Sequence, residues 1–290
     1  MTGATRDFHA SRAAVRRSGV AIERRVVHPS GGASMSQEHE LYAAIVAEPD
    51  DAALRRALAA HYDGRGDPRG ELIRIQLEIA DQKAQGVRDG TLLRREQALL
   101  KAHGRAWAAP LADLITGYAF CRGLIGEVAL PLDRFLDVAP ALFAAAPIQH
   151  LNLTEPRTRW LEMLRSPHLA RLASLSLQRM GFGDEDAKVI ARAEGLRTLH
   201  WLSLARNQLG EAGVEALAAS PWLARLDVLD LSNNPCDPIP KPAGRDLDGR
   251  VTAIDRPAFA NVLVSRYGAR PWLANPANPD AWPLPRDSYR

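Results

Sequence analysis

The stretch 199–207 reads L-H-W-L-S-L-A-R-N, and the same phrase stands at 172–180 (L-A-S-L-S-L-Q-R-M) and at 226–234 (L-D-V-L-D-L-S-N-N). The shared template is L-x-x-L-x-L-x-x-N, and its opening residues Leu172, Leu199 and Leu226 follow one another at a constant 27-residue spacing. A fixed period of this size indicates stacked units, because one short unit cannot bury its own apolar side. The phrase therefore predicts strands that stack side by side.

The repeat extends beyond the strand phrase. The same 27-residue shift carries Phe182 onto Leu209, Gly183 onto Gly210, Ile190 onto Leu217 and Leu196 onto Leu223. Each unit therefore contains a strand, a glycine turn, an amphipathic helix and a closing leucine. A degenerate copy begins at Ile148, 24 residues ahead of Leu172, which predicts a helix shortened by about one turn. A weaker strand is predicted at 127–130, followed by an apolar helix over 135–145.

This pattern resembles the leucine-rich repeats of the ribonuclease-inhibitor type over roughly residues 124–236, and the predicted repeat domain spans 120–236. The resemblance implies an α/β fold: a short right-handed αβ solenoid with parallel strands that line a concave sheet. Proteins with such repeats serve as binding modules, which favours binding over catalysis.

Residues 36–110 read as helical, and they precede the repeats. Pro49 ends a first helix, Asp50 and Asp51 can cap a second, and Asp67 with Pro68 suits the start of a third. A fourth helix is predicted at about 91–103. The stretches 44–51 (A-I-V-A-E-P-D-D) and 66–76 (G-D-P-R-G-E-L-I-R-I-Q) resemble bacterial repeat-companion domain proteins, in which a small helical domain precedes repeats. Residues 58–65 depart from the acidic run usual in that family, so no role of those acidic groups is carried over.

The two ends of the chain lack the repeat. Residues 1–34 are rich in arginine, without apolar periodicity or a secretory h-region, and predict a disordered leader, an organelle transit peptide, or a start upstream of a true initiator at Met35.

After Asn234, four prolines at 235, 238, 240 and 242 predict loop over 237–250. A helix is expected at 256–267. Residues 237–290 are interpreted as a C-terminal cap and an irregular tail.

Charge and composition narrow the class of protein. The chain carries +3 overall, but residues 1–34 alone hold six arginines against two acidic residues, which leaves −1 for the remainder. A near-neutral body predicts no binding to nucleic acid. No apolar run has the ~18–20 residues of a membrane helix, so no membrane association is expected. The only two cysteines show no metal spacing, which favours a reducing compartment and a cytoplasmic protein.

The template also predicts a surface. Its leucines face the core, and the residues between them point to the opposite, concave side of the sheet, which we take as the partner-binding face. Trp201 with the arginines at 179 and 206 would bind an acidic or planar segment, unless Trp201 packs against Gln178 or the C-terminal segment. The candidate binding residues are Trp201, Arg179, Arg206, Gln178, Ser203, Asn152, His150 and Asp230.

Asn207 and Asn234 are expected to behave differently from these surface residues. Their place at the end of the template predicts that they turn inward and bond the bare backbone of the turn. Cys236 falls where Leu209 falls one repeat earlier, so it is interpreted as a small buried residue.

The expected function is a non-catalytic protein-interaction module or adaptor in a bacterial cytoplasm. The alternative is a regulatory subunit of an enzyme complex, comparable to GTPase-regulating or ligase-adaptor solenoids, which is an analogy at the level of the fold. No catalytic motif, cofactor loop or metal-binding spacing is present in the sequence, so the prediction contains no catalytic residue, no cofactor and no metal.

Overall fold

A computed structural model describes residues 32–87, 89–239, 241–245, 251–255 and 257–274. It opens with four helices: α1 (Gly32–Ala47), α2 (Ala52–Asp63), α3 (Arg69–Ala84) and α4 (Gly90–Ala108). Helix α1 begins three residues ahead of Met35, so it extends into the segment assigned to the leader by composition. Residues 1–31 of that predicted leader lie outside the described residues.

The predicted helix starts are confirmed by their capping bonds. Asp51 Oδ1 accepts hydrogen bonds from the amides of Ala53 at 2.7 Å and Leu54 at 3.0 Å, ahead of α2. Asp67 Oδ1 accepts one from the Arg69 amide at 2.9 Å, although α3 begins one residue later than predicted. These carboxylates satisfy amides that the first turn of a helix leaves without partners.

A six-stranded sheet follows. Its strands are β1 (Gly117–Cys121), β2 (Leu124–Pro131), β3 (His150–Thr154), β4 (Ser174–Ser176), β5 (Trp201–Ser203) and β6 (Val228–Asp230). They lie side by side in chain order. The pair β1–β2 is antiparallel, and each later pair is parallel. The predicted α/β class is confirmed, whereas β1 lies outside the 27-residue period and was not predicted.

The register of the parallel strands follows the spacing in the sequence. Ser174 lies opposite Trp201, and Trp201 lies opposite Val228, so strand neighbours keep the 27-residue spacing of the template. His150 lies opposite Ser174, at the shorter spacing of 24. Side chains alternate between the two sides of a strand, so the leucines of every strand fall on one face. The sequence therefore placed neighbouring residues correctly across four strands.

Helices connect the strands on the leucine side of the sheet. They are α5 (Leu132–Ala145), α6 (Trp160–Met163), α7 (Asp184–Ile190) and α8 (Glu211–Ala219). Helix α6 has only four residues, which accounts for the shorter spacing of its unit. The strand leucines are buried in one continuous core that includes Leu151, Leu175, Leu202 and Leu229.

The C-terminal part holds strands β7 (Lys241–Arg245) and β8 (Val251–Asp255) and helices α9 (Ala258–Tyr267) and α10 (Pro271–Ala274). The prediction of loop over 237–250 is wrong for β7, because 251–255 supplies an antiparallel partner and proline is tolerated at the edge of a sheet. The helix expected at 256–267 is confirmed as α9. Leu263, Trp272 and Leu273 join the core of the sheet leucines, as a cap would. Among the described helices, none has the length and apolar character needed to cross a membrane.

Candidate interaction face

The face of the sheet opposite the leucines carries polar side chains, and we call it the polar face. Its central row runs through Ala129, Asn152, Ser176, Ser203 and Asp230, one residue from each strand from β2 to β6. A second row runs through Glu127, His150, Ser174, Trp201 and Val228. Both rows contain the residues that the sequence predicted for this side of the sheet.

The polar face is less open than the sequence suggested. Ser203 is fully buried and Trp201 is only 7% exposed, so the predicted partner contacts of these two residues are corrected. A serine side chain is short, and neighbouring strands lie only ~4.8 Å away on either side. Trp201 stands between Ser174 and Val228, both smaller than the indole, and burial of a large apolar ring is favourable. Of the two alternatives for Trp201, packing is the one that the structure supports.

Asp230 organises the end of the polar face. Ser203 Oγ donates to Asp230 Oδ2 at 3.0 Å, and Ser232 Oγ donates to Asp230 Oδ1 at 2.7 Å. The Ser232 amide donates to the same Oδ1 at 3.1 Å. The carboxylate of this candidate residue is therefore engaged with its own chain, which leaves it little capacity to receive a partner.

His150 and Ser174 form a hydrogen-bonded pair on adjacent strands. His150 Nδ1 lies 2.7 Å from Ser174 Oγ, and Ser174 is 2% exposed. Burial, together with the positive charges of Arg122 and Lys83, lowers the pKa of His150 to about 4, and the negative charge of Asp50 acts in the opposite direction. A buried hydroxyl beside so weak a base is poorly suited to nucleophilic attack. We assign the pair a structural role.

We expect the substitution His150→Gln to make the free energy of unfolding depend less on pH in the acidic range. The imidazole has a pKa of ~6.5 in an unfolded chain, so its neutral form contributes stability that is fully present above that pH and is lost as the pH falls towards 4. Relative to the variant, the native chain should lose up to about 3 kcal/mol of unfolding free energy between pH 7 and pH 4. Urea unfolding of both proteins at several pH values measures this difference, and parallel profiles would contradict it.

Asn207 lies behind the polar face and satisfies backbone groups of two turns. Its Oδ1 accepts from the amides of Met180 at 2.9 Å and Phe182 at 3.1 Å. Its Nδ2 donates to the carbonyls of Leu177 at 3.0 Å and Leu204 at 2.8 Å. Asn207 is 2% exposed, so the predicted inward amide is confirmed.

Asn234 repeats this arrangement one unit later. Its Oδ1 accepts from the Leu209 amide at 3.1 Å, and its Nδ2 donates to the carbonyls of Leu204 at 2.9 Å and Leu231 at 2.8 Å. Cys236 is half-buried beside the core, and its amide donates to the Leu209 carbonyl at 2.9 Å, in keeping with the predicted small apolar residue.

The two exposed candidates are arginines that lie just past the strand ends, whereas the partly exposed Asn152 and His150 lie within β3. Arg179 and Arg206 are exposed, and Gln178, Asn152 and His150 are partly exposed. The Arg179 amide donates to the Ala205 carbonyl at 3.2 Å, and the Arg206 amide donates to the Ser232 carbonyl at 2.8 Å, so the strand register continues past the strand ends. The two arginines therefore project from neighbouring turns, without the indole that the sequence placed beside them.

Polar side chains of α2 and α3 dock the helices onto the sheet. Gln76 Oε1 accepts from the Gly123 amide at 2.6 Å, and Gln76 Nε2 donates to the Phe120 carbonyl at 3.1 Å. From α2, the buried Arg55 donates through Nη1 to the carbonyls of Cys121 at 3.2 Å and Arg122 at 3.0 Å. These four carbonyl and amide groups belong to the end of β1 and to the turn that connects it to β2.

Asp50 adds a further contact between the helices and the sheet. It accepts from Arg122 Nη1 at 2.8 Å and from Gln149 Nε2 at 3.1 Å, and these hydrogen bonds hold its pKa below the usual range although partial burial acts in the opposite direction. Sequence reasoning missed Arg55, Gln76 and Gly123. For Gln76 a signal existed, because it lies four residues after Leu72 and three before Ile79, at the spacing that places it on the apolar side of α3.

The chain matches no protein-family model, no curated protein and no solved structure. Over the described part of the chain, no group of three histidine, cysteine or acidic side chains is placed to hold a metal ion.

Proposed function

We propose that the chain is a short right-handed leucine-rich-repeat solenoid preceded by a helical repeat-companion domain, and that it acts as a non-catalytic protein-interaction module. The 27-residue spacing between paired residues of β4, β5 and β6 supports the solenoid. The inward amides of Asn207 and Asn234 support it as well, because they satisfy the turns of successive units in the same way. The partner is another protein, bound on the concave polar face, in a bacterial cytoplasm.

The observation that carries the proposed function is the difference in exposure between the interior and the edge of the polar face. Interior side chains such as Ser203 and Ser174 are buried and bonded within the chain, whereas Thr154, Arg179 and Arg206 at the strand ends are exposed. Because the interior side chains already have hydrogen-bond partners, they hold the edge of the face in a fixed arrangement. A partner that binds at this edge would not have to order these side chains, which lowers the cost of binding. Cys121 and Cys236 both remain unpaired, which supports a reducing compartment.

Affinity capture with the tagged full chain, followed by direct binding of the identified partner, tests this proposal. Thr154→Glu with Gln178→Glu adds bulk and negative charge on the polar face, and it should reduce binding of that partner by about tenfold or more. The control Ala144→Glu with Ala219→Glu adds the same charge at exposed positions of α5 and α8 and should leave binding unchanged. Failure to capture any partner, or loss of binding only in the control, would contradict the proposal.

A further inference from the structure

Arg179 and Arg206 occupy a backbone conformation that arginine rarely adopts. Both have φ of 58°, and Asn233, at the same position of the next unit, has φ of 60°. In this left-handed region a side chain with a Cβ is disfavoured, and asparagine is among the residues that tolerate it best. Two of three equivalent turns therefore carry a residue that suits the backbone less well than the asparagine of the third. Such local strain is typical of binding sites.

The guanidinium groups of Arg179 and Arg206 are free to bind a ligand. Both side chains are exposed, and neither donates a hydrogen bond to any acceptor within the described ranges. Three acidic side chains of the same units are engaged elsewhere. Asp184 accepts from the Gly210 amide at 2.6 Å, Asp186 from the Gly183 amide at 3.0 Å, and Asp230 from two serines. Glu155, at the equivalent position of the preceding unit, is exposed and makes no hydrogen bond to Arg179. The two turns therefore present guanidinium groups that no carboxylate of the described residues binds.

The spacing of the pair sets what it can bind. The amides of Arg179 and Arg206 bond the carbonyls of the following unit, so the two turns keep the strand spacing of ~4.8 Å. Each guanidinium presents a planar fork that pairs with a carboxylate through two hydrogen bonds. Two forks on adjacent units can therefore engage two carboxylates of one segment that crosses the strand ends.

We propose that Arg179 and Arg206 bind an acidic segment of a partner protein, through its aspartate or glutamate carboxylates. This inference rests on the proposed function and specifies the chemistry of its partner. A long polyanion such as nucleic acid fits less well, because the equivalent position of the preceding unit is the exposed Glu155, and the sequence outside residues 1–34 carries a net charge of −1. The negative charge of Glu155 repels an anionic ligand that extends past Arg179, so the pair favours a short acidic segment.

A fluorescent peptide of alternating glutamate and serine tests the inference by anisotropy with the full chain. Arg179→Asn with Arg206→Asn should weaken its binding by about tenfold or more, since charge-assisted hydrogen bonds are lost. Because asparagine suits the left-handed backbone, the melting temperature of this variant should stay unchanged or rise. Loss of binding without loss of stability separates a binding role from a structural one.

The chain offers a matched control on its helical side. Arg165 and Arg192 are also exposed, share the 27-residue spacing, and also lack a side-chain acceptor among the described residues. Arg165→Asn with Arg192→Asn removes the same charge and should leave peptide binding unchanged. Equal loss in both variants, equal binding of the glutamine version of the peptide, or displacement of the peptide by an equal concentration of inorganic phosphate would each overturn the inference. If the acidic peptide does not bind but an identified partner still requires the polar face, this inference fails and the proposed function stands.

Discussion

Gly123→Ala is expected to destabilise the chain by more than about 4 kcal/mol, one of the largest effects available to a single methyl group. Gly123 has φ of +87°, and a Cβ there would lie 2.1 Å from Ile73 Cγ1 and 2.6 Å from Ile73 Cα. Because the second contact involves backbone, a change of rotamer cannot relieve it. The turn between β1 and β2 would have to move away from α3, which would break the bonds of Gln76 and Arg55 to that turn.

Urea unfolding measures this cost, with Gly181→Ala as the matched control. Gly181 also has a positive φ, of +63°, but nothing lies within 4 Å of its added Cβ. The control should therefore lose only about 1 kcal/mol, the cost of the left-handed conformation alone. Similar losses in the two variants would show that the close packing of α3 on the turn is not what requires glycine at 123.

Asn207→Leu is expected to cost roughly 3–5 kcal/mol of unfolding free energy. Leucine fills a similar volume, but it leaves the amides of Met180 and Phe182 and the carbonyl of Leu177 without this partner, inside the protein. The Leu204 carbonyl keeps its hydrogen bond from Asn234. Each buried polar group that loses its hydrogen bond costs about 1–3 kcal/mol, and the turn relaxes in part to recover some of them.

Asn234→Leu serves as the comparison, since Asn234 makes the same kind of bonds but is only partly buried. Water can replace part of its bonding, so we expect a loss of about 1–2 kcal/mol. Thermal and urea unfolding of both variants give the ranking. A neutral Asn207→Leu would mean that the turn is hydrated, and the assignment of Asn207 as the support of two successive units would then be wrong.

The strand register, the inward asparagine and the helix caps were all determined by local features of the sequence. The 27-residue spacing placed Ser174 beside Trp201 and Ser203 beside Asp230, because parallel strands with equal connections meet in a constant register. The inward role of Asn207 also followed from the sequence, since a tight turn leaves amides and carbonyls that a side-chain amide can satisfy. The helix caps at Asp51 and Asp67 could also be predicted from the sequence, because each carboxylate bonds an amide only two or three positions away.

Contacts between distant parts of the chain were decided by the tertiary structure alone. The burial of Trp201 depends on what packs over a strand, and an alternating pattern gives only the side to which a residue points. The strand pairing of 241–245 with 251–255 overrode the local preference of the prolines for loop. The need for glycine at 123 arises from the approach of Ile73, far earlier in the chain, and a helix and a turn so distant in sequence are brought together only by folding.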